Sequence, residues 1–229
     1  MNHHTLSRAK LLPIVFLRFL AGLISIGALI FIPAGTLQYW QAWLYICLIF
    51  LPMAILGVIL LAKDPEMLER RMRMRETQAE QKKAIAAISL VLLAIYLVAG
   101  LDKRFGWSAV PVTLVLLADL IILLGYLLFG FTIRENRYAS RVIELQQNQV
   151  VISSGPYTLV RHPMYLAMTL IFTVTPLALG SYWSLVPGVL FPVFLAARIS
   201  NEEQMLRRSL AGYDEYTRKV RHRLIPYIW

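Results

Sequence analysis

The sequence holds a single cysteine, Cys47, inside an apolar run. One thiol excludes an intrachain disulfide, and no CxxC spacing is present for a metal. Histidine is rare too, and His3 and His4 stand too near the start of the chain to argue for a metal site. Acids number 13 against 23 Lys and Arg, which gives a net charge of +10. Such an excess can signal nucleic acid. Here the basic residues cluster between apolar runs, so a bilayer is the expected partner, with no nucleic acid and no metal. No GxGxxG follows a strand-like run, so the Rossmann fingerprint is missing. No solenoid repeat is visible. The first apolar run is long and lacks a small-residue cleavage site, so a cleaved signal is not expected.

What the sequence has in abundance is apolar length. Hydrophobic residues make up 58% of the 229, and the mean hydropathy is +0.61. A bilayer-spanning helix needs roughly 20 apolar residues. The runs Ile14–Ile32, Ala42–Ala62, Ala84–Leu101, Ala109–Phe131, Met164–Leu179 and Tyr182–Ala197 predict six spans in an all-α membrane protein. Gly180-Ser181 joins the last two into a tight helical hairpin, and Pro176, Pro187 and Pro192 should bend its arms. Tyr39, Trp40 and Trp43 suit a membrane interface. Asp119 is costly in the middle of its run and should face the bundle interior, bonded to a neighbouring helix.

The polar stretches give the orientation. Between Lys63 and Lys83, Arg70, Arg71, Arg73 and Arg75 interleave with Met67, Leu68, Met72 and Met74. That pattern suits a helix on the bilayer surface or a solvated helix between spans. Asp64-Pro65-Glu66 is a good start for it. This stretch falls on one side with the N-terminus, the segment from Arg134 through Arg141 to Arg161, and the tail. Lys103 and Arg104 fall on the other. The positive-inside rule puts both termini in the cytoplasm. The chain divides into a four-span bundle, residues 1–131, and a second region, residues 132–229, expected to carry the functional site, with a helical hairpin and a helical tail.

The most polar, turn-rich segment between greasy runs is Ser154-Gly155-Pro156-Tyr157-Thr158-Leu159-Val160-Arg161-His162-Pro163-Met164-Tyr165. Pro163 suits the first turn of a helix, whose free N–H groups make an anion site. His162 and Tyr165 share a face of that helix. The last span ends in Arg198-Ile199-Ser200-Asn201-Glu202-Glu203, with Arg198 and Glu202 four apart. Beyond it, Gly212, Tyr213 and Tyr216 suggest a short helix folded under the spans, able to close a pocket mouth.

Together Gly155-Pro156-Tyr157, Arg161-His162-Pro163-Met164-Tyr165, and Arg198-x-x-x-Glu202-Glu203 with the Gly212/Tyr213/Tyr216 tail resemble the isoprenylcysteine carboxyl methyltransferase family. That group is related to membrane phospholipid N-methyltransferases. The resemblance covers roughly Gln149 to Pro226, and the compact chain looks like the bacterial members. It implies an enzyme of the bacterial inner membrane that uses S-adenosyl-L-methionine on a lipophilic or lipidated acceptor. It implies that Gln149, Val150, Val151 and Ile152 line the cofactor, and that Tyr157, His162, Pro163, Met164 and Tyr165 contact it. Glu202 would hold it from the other side, and Arg198 would face the substrate, making Arg198 and Glu202 the catalytic pair. Gln149 stands where eukaryotic members tend to have His.

A carboxylate acceptor is already ionised near neutral pH and needs no general base. Arg198 could orient it through a bidentate contact. An amine acceptor would need a base, for which Glu203 and His162 are the candidates. The leading expectation is therefore carboxyl O-methylation, with phospholipid or amine N-methylation as the alternative. An NADPH-dependent enzyme resembling sterol reductases and a non-enzymatic small-molecule-binding membrane protein are the readings from other classes.

Overall fold

The computed structural model describes residues 7–72, 76, 78–138, 140, 148–226 and 228–229. His3, His4, Arg73, Met74, Arg75 and Arg141 lie outside the described residues. All regular structure among the described residues is helical. The order is α1 (Arg8–Ala34), α2 (Trp40–Lys63), α3 (Pro65–Met72), α4 (Ala79–Phe105), α5 (Val112–Glu135), a 3-10 turn (Gly155–Thr158), α6 (Pro163–Ala178), α7 (Leu185–Gly188), α8 (Leu190–Ser209) and α9 (Tyr213–Lys219).

Among the described residues, five helices are long and apolar enough to cross a membrane: α1, α2, α4, α5, and α7 with α8 taken together. The chain is an integral membrane protein. The remaining predicted span, α6, has 16 residues, about 24 Å at 1.5 Å per residue. That is short of a hydrocarbon core of about 30 Å. The long helices overrun their apolar runs, because polar residues at the ends keep helical hydrogen bonding outside the hydrocarbon. Thus α4 starts at Ala79 rather than Ala84, and α8 continues to Ser209 rather than stopping at Ala197. The second arm of the predicted hairpin is broken at Val189, between α7 and α8. Pro192 has no N–H to give the carbonyl of Gly188, and this accounts for the break.

Local chemistry sets the helix ends. Gly35 (φ 66°) closes α1 with its N–H on the carbonyls of Ile32 and Phe31, and Gly106 (φ 66°) closes α4 on Asp102. Asp64 caps α3, accepting from the Met67 N–H at 2.9 Å, with Pro65 as the first helical residue. Of the stretch between Lys63 and Lys83, the described residues form a helix over the eight residues of α3.

The core threads α1, α2, α4, α5, α6 and α8, and it takes in Leu224 from the tail. Two glycines set the closest approaches. A Cβ on Gly125 would lie 2.7 Å from Ile171 Cγ1, so α5 packs tightly on α6. A Cβ on Gly100 would lie 2.6 Å from the carbonyl oxygen of Ile30, so α4 meets the backbone of α1. Gly100→Ala is expected to cost about 1–3 kcal/mol through overpacking, read as a lower unfolding temperature of the detergent-solubilised protein. Gly57→Ala, with nothing within 4 Å of its Cβ, is the control that should leave it unchanged.

One end of the bundle is a polar latch. Asp102 accepts from the Ser108 N–H at 2.7 Å and from the Ser108 and Ser181 hydroxyls. Exposed Trp40, Trp43, Trp107 and Trp183 ring that end, as an interface belt would. Asp119 is buried in α5, as expected, but neither carboxyl oxygen has a hydrogen-bond partner among the described residues. The expected bond to a neighbouring helix is not formed.

Candidate functional site

The opposite end gathers the C-terminus of α5, the extended segment Gln149–Ile152, the 3-10 turn, the start of α6, the polar half of α8, and α9. The turn is tied to α5. The Ser154 hydroxyl donates to Glu135, and Gly155 adopts φ 56° where a Cβ would come within 3.1 Å of the Glu135 side chain. Asn136 Nδ2 donates to the Tyr157 hydroxyl at 2.7 Å, and the Tyr216 hydroxyl donates to the Tyr157 carbonyl at 2.8 Å. Burial pushes the Tyr157 phenol up to about 12, so it stays protonated and keeps its own hydrogen to give.

At the start of α6, His162 is the cap residue and Pro163 the first helical one. The predicted anion site is narrower than expected. The amide N–H groups of Arg161 and His162 donate to the tail carbonyls of His222 and Arg223, both at 2.9 Å. Pro163 has none to offer, which leaves Met164 and Tyr165 as the first-turn donors.

Two buried polar networks meet behind the cleft. The first centres on Glu203, 2% exposed. Its carboxylate accepts from Arg161 Nε (2.6 Å) and Nη2 (3.3 Å), His162 Nε2 (3.1 Å) and Arg223 Nε (2.9 Å). A carboxylate only accepts, so the His162 proton in this contact is on Nε2. Arg161 Nη1 also donates to the carbonyls of Val220 and Arg221. Arg161 thus staples α6, α8 and the tail together.

The second network runs through Tyr165. Its hydroxyl donates to Glu202 Oε2 at 2.5 Å and accepts from Arg198 Nε at 3.0 Å. Arg198 Nη1 donates to Gln81 Oε1 at 3.1 Å, Gln81 Nε2 returns a bond to the Arg198 carbonyl, and Arg198 Nη2 lies 3.9 Å from Glu76 Oε2. Arg198 and Glu202 are one turn apart, as predicted, with the Tyr165 hydroxyl between them.

Around these networks opens a cleft of about 840 Å³, its open mouth included. Of the predicted cofactor residues, Gln149, Val150, Val151, Ile152, Tyr157, His162, Met164, Tyr165 and Glu202 line it. Pro163 is buried at the head of α6 and does not line it. Arg198 is also outside the lining, buried behind Tyr165 rather than presented as an open fork. Sequence reasoning gave no role to Glu76, Gln81 or Asn136, and for Arg161 and Glu203 it did not foresee a shared hub. Each pairing joins residues far apart in the chain, and no local spacing signals it. Tyr213, expected only as part of a covering tail, lines the cleft with a buried hydroxyl that has no partner among the described residues. Burial raises its pKa far above the usual phenol range, so the hydroxyl is a fixed, unspent donor.

Residues 113–212 match a family described as phospholipid methyltransferase. The matched stretch runs from α5 to Gly212, just before α9, and carries both networks except for Glu76, Gln81, Arg223 and the tail carbonyls of Val220 and Arg221. No curated protein matches the chain. The fold and the cleft define a helical membrane protein with a polar site at one end of its bundle. Within it, the segment that builds most of the site is similar to membrane methyltransferases.

Proposed function

We propose that the protein is an integral membrane methyltransferase that uses S-adenosyl-L-methionine on a lipophilic acceptor reached from the bilayer. The observation that carries this reading is the cleft itself, which is lined by the expected cofactor residues other than Pro163, all within the stretch similar to phospholipid methyltransferases. The residues suit a zwitterionic cofactor. Glu202 brings a carboxylate to the cleft, the first-turn N–H groups of Met164 and Tyr165 suit an anionic group, and the Tyr213 hydroxyl is unspent. When bound, S-adenosyl-L-methionine supplies an activated methyl group for in-line displacement. The chain's part is to hold and align donor and acceptor and to keep water out. Tyr165 fixes Glu202, and Glu203 fixes His162, before any ligand arrives.

The acceptor's class turns on Arg198. Its charge faces Glu76, and its donors reach Tyr165 and Gln81. A cation already paired with a buried carboxylate has less to offer an acceptor carboxylate. This favours an amine-bearing lipid acceptor, with Glu202 as the cleft carboxylate able to take the proton an ammonium must lose. The second reading, a carboxylate acceptor as in isoprenylcysteine carboxyl methyltransferases, is favoured by the position of a guanidinium directly behind Tyr165. In either case the distribution of basic stretches supports a cytoplasmic site end and cytoplasmic termini, and the resemblance to bacterial members supports the inner membrane as the location.

Titration calorimetry on purified protein tests the class. S-adenosylhomocysteine should bind and NADPH should not; the reverse would point to a reductase. Tyr213→Phe sharpens the test. Its hydroxyl bonds nothing within the described protein, so the variant should keep its unfolding temperature. It should lose about 1 kcal/mol of cofactor affinity, roughly fivefold. Unchanged affinity would remove Tyr213 from the site.

A further inference from the structure

A second cavity shares Arg161 with the cleft. It is an open hollow of about 650 Å³, lined by Arg161, Arg221, His222, Arg223, Ile228 and Trp229. We propose that it is a headgroup site for a phosphate-bearing anionic lipid of the same membrane. This does not rest on the methyltransferase reading.

The charge of the hollow comes first. Arg161, Arg221 and Arg223 line it, and Glu203 is the side-chain carboxylate that Arg161 and Arg223 bond. The hollow stays net positive even when a main-chain carboxylate at Trp229 is counted. Arg161 is spent on Glu203 and on tail carbonyls. Arg223 is spent on Glu203 and stacks its guanidinium 5.1 Å from the Trp229 ring. Arg221 is exposed, and it is the cation most open to a ligand. Arginine forks match phosphate oxygens in pairs.

The apolar rim gives the second part of the argument. Leu224 belongs to the transmembrane core, and Trp229 packs against it. The tail is pinned there, because the Trp229 carbonyl accepts from the N–H groups of Arg223, Leu224 and Ile225 at 2.9–3.2 Å. With those residues turned inward, Ile225 and Ile228 point outward, and Ile228 is 77% exposed. A basic hollow beside an apolar tip, tied to the end of a membrane bundle, has the amphipathic make-up of an interfacial anchor. Juxtamembrane basic residues gain about 1 kcal/mol each near an anionic surface, roughly fivefold per residue. A soluble phosphate satisfies the arginines but gives Ile228 nothing to bury against, so the lipid is the occupant.

The test is native mass spectrometry of the full chain, delipidated in detergent and offered equal amounts of dioleoyl phosphatidylglycerol and dioleoyl phosphatidylcholine. Phosphatidylglycerol should be retained at least about fivefold more. Arg221→Gln should bring that ratio down about fivefold, and Arg221→Lys should restore most of it, which separates lost charge from misfolding. Ile228→Ser should lower retention of phosphatidylglycerol. Equal retention of the two lipids by the wild type would overturn the proposal, as would an undiminished preference in Arg221→Gln. Inorganic phosphate that displaces the lipid completely, with Ile228→Ser without effect, would make the ligand a soluble anion and overturn the lipid assignment.

Discussion

Glu203→Ala is expected to unfold the site end of the protein, with the largest loss of stability of any single change in the cleft region. One carboxylate, 2% exposed, answers Arg161, His162 and Arg223 together. Removing one partner of a buried ion pair costs about 3–5 kcal/mol, because the other charge stays buried without compensation. Here Arg161, 5% exposed in its side chain, cannot turn out to water, whereas Arg223 at 34% partly can. The loss therefore falls mainly on Arg161 and on the tail carbonyls it holds. Thermal unfolding should drop steeply, and S-adenosylhomocysteine binding should vanish with it. Glu203→Gln separates the two effects. It keeps one acceptor oxygen and the volume but not the charge, so it should fold better than Glu203→Ala while still binding the ligand weakly. If Glu203→Ala keeps wild-type stability and binding, the hub has no structural role.

The fold was largely legible because the bilayer makes one demand: long apolar runs must close their backbone hydrogen bonds as helices. Four of the runs became α1, α2, α4 and α5 with their centres where hydropathy put them. The ends were less legible, since Glu80, Glu135 and Arg207 extend helices at no cost once outside hydrocarbon. The break at Val189 was half legible, with Pro187 and Pro192 visible but their joint effect not. At the site, the cluster from Gly155 to Tyr165 could be read because turn residues and a helix start are local chemistry. The opposite holds for Glu76 and Gln81. They come from the connection into α4 and from its first turn, and they reach Arg198 more than a hundred residues away. Only the packing of α4 on α8 brings them there. The tail was anticipated as a cover. That its carbonyls would take the amides of Arg161 and His162 could not be read, because backbone partners leave no mark on side-chain identity.

Arg198 and Glu76 should give different signatures when changed, and the direction of the Glu76 effect reports the charge of the acceptor. Arg198→Ala is expected to lower turnover about a hundredfold or more. The guanidinium holds the Tyr165 hydroxyl, which holds Glu202, and small misplacements of aligned groups cost that much. It should also weaken cofactor binding about tenfold, since a charge-assisted bond worth about 1.5 kcal/mol is lost behind a cleft residue. A role confined to the acceptor would instead leave cofactor affinity intact, so measuring both constants separates positioning from direct contact. Arg198→Lys should fall on the same side as alanine, because one ammonium cannot serve Tyr165 and Gln81 in the geometry of a planar fork. Glu76→Gln leaves Arg198 in place and removes the carboxylate beside it. Cofactor affinity should then hold, while the acceptor meets a site with one negative charge fewer. For an amine acceptor this is repulsion, and turnover should fall several-fold. For a carboxylate acceptor the same change is attraction, and turnover should rise. A rise would reverse the acceptor class favoured here and make Glu76 a stand-in for the substrate's own carboxylate on Arg198.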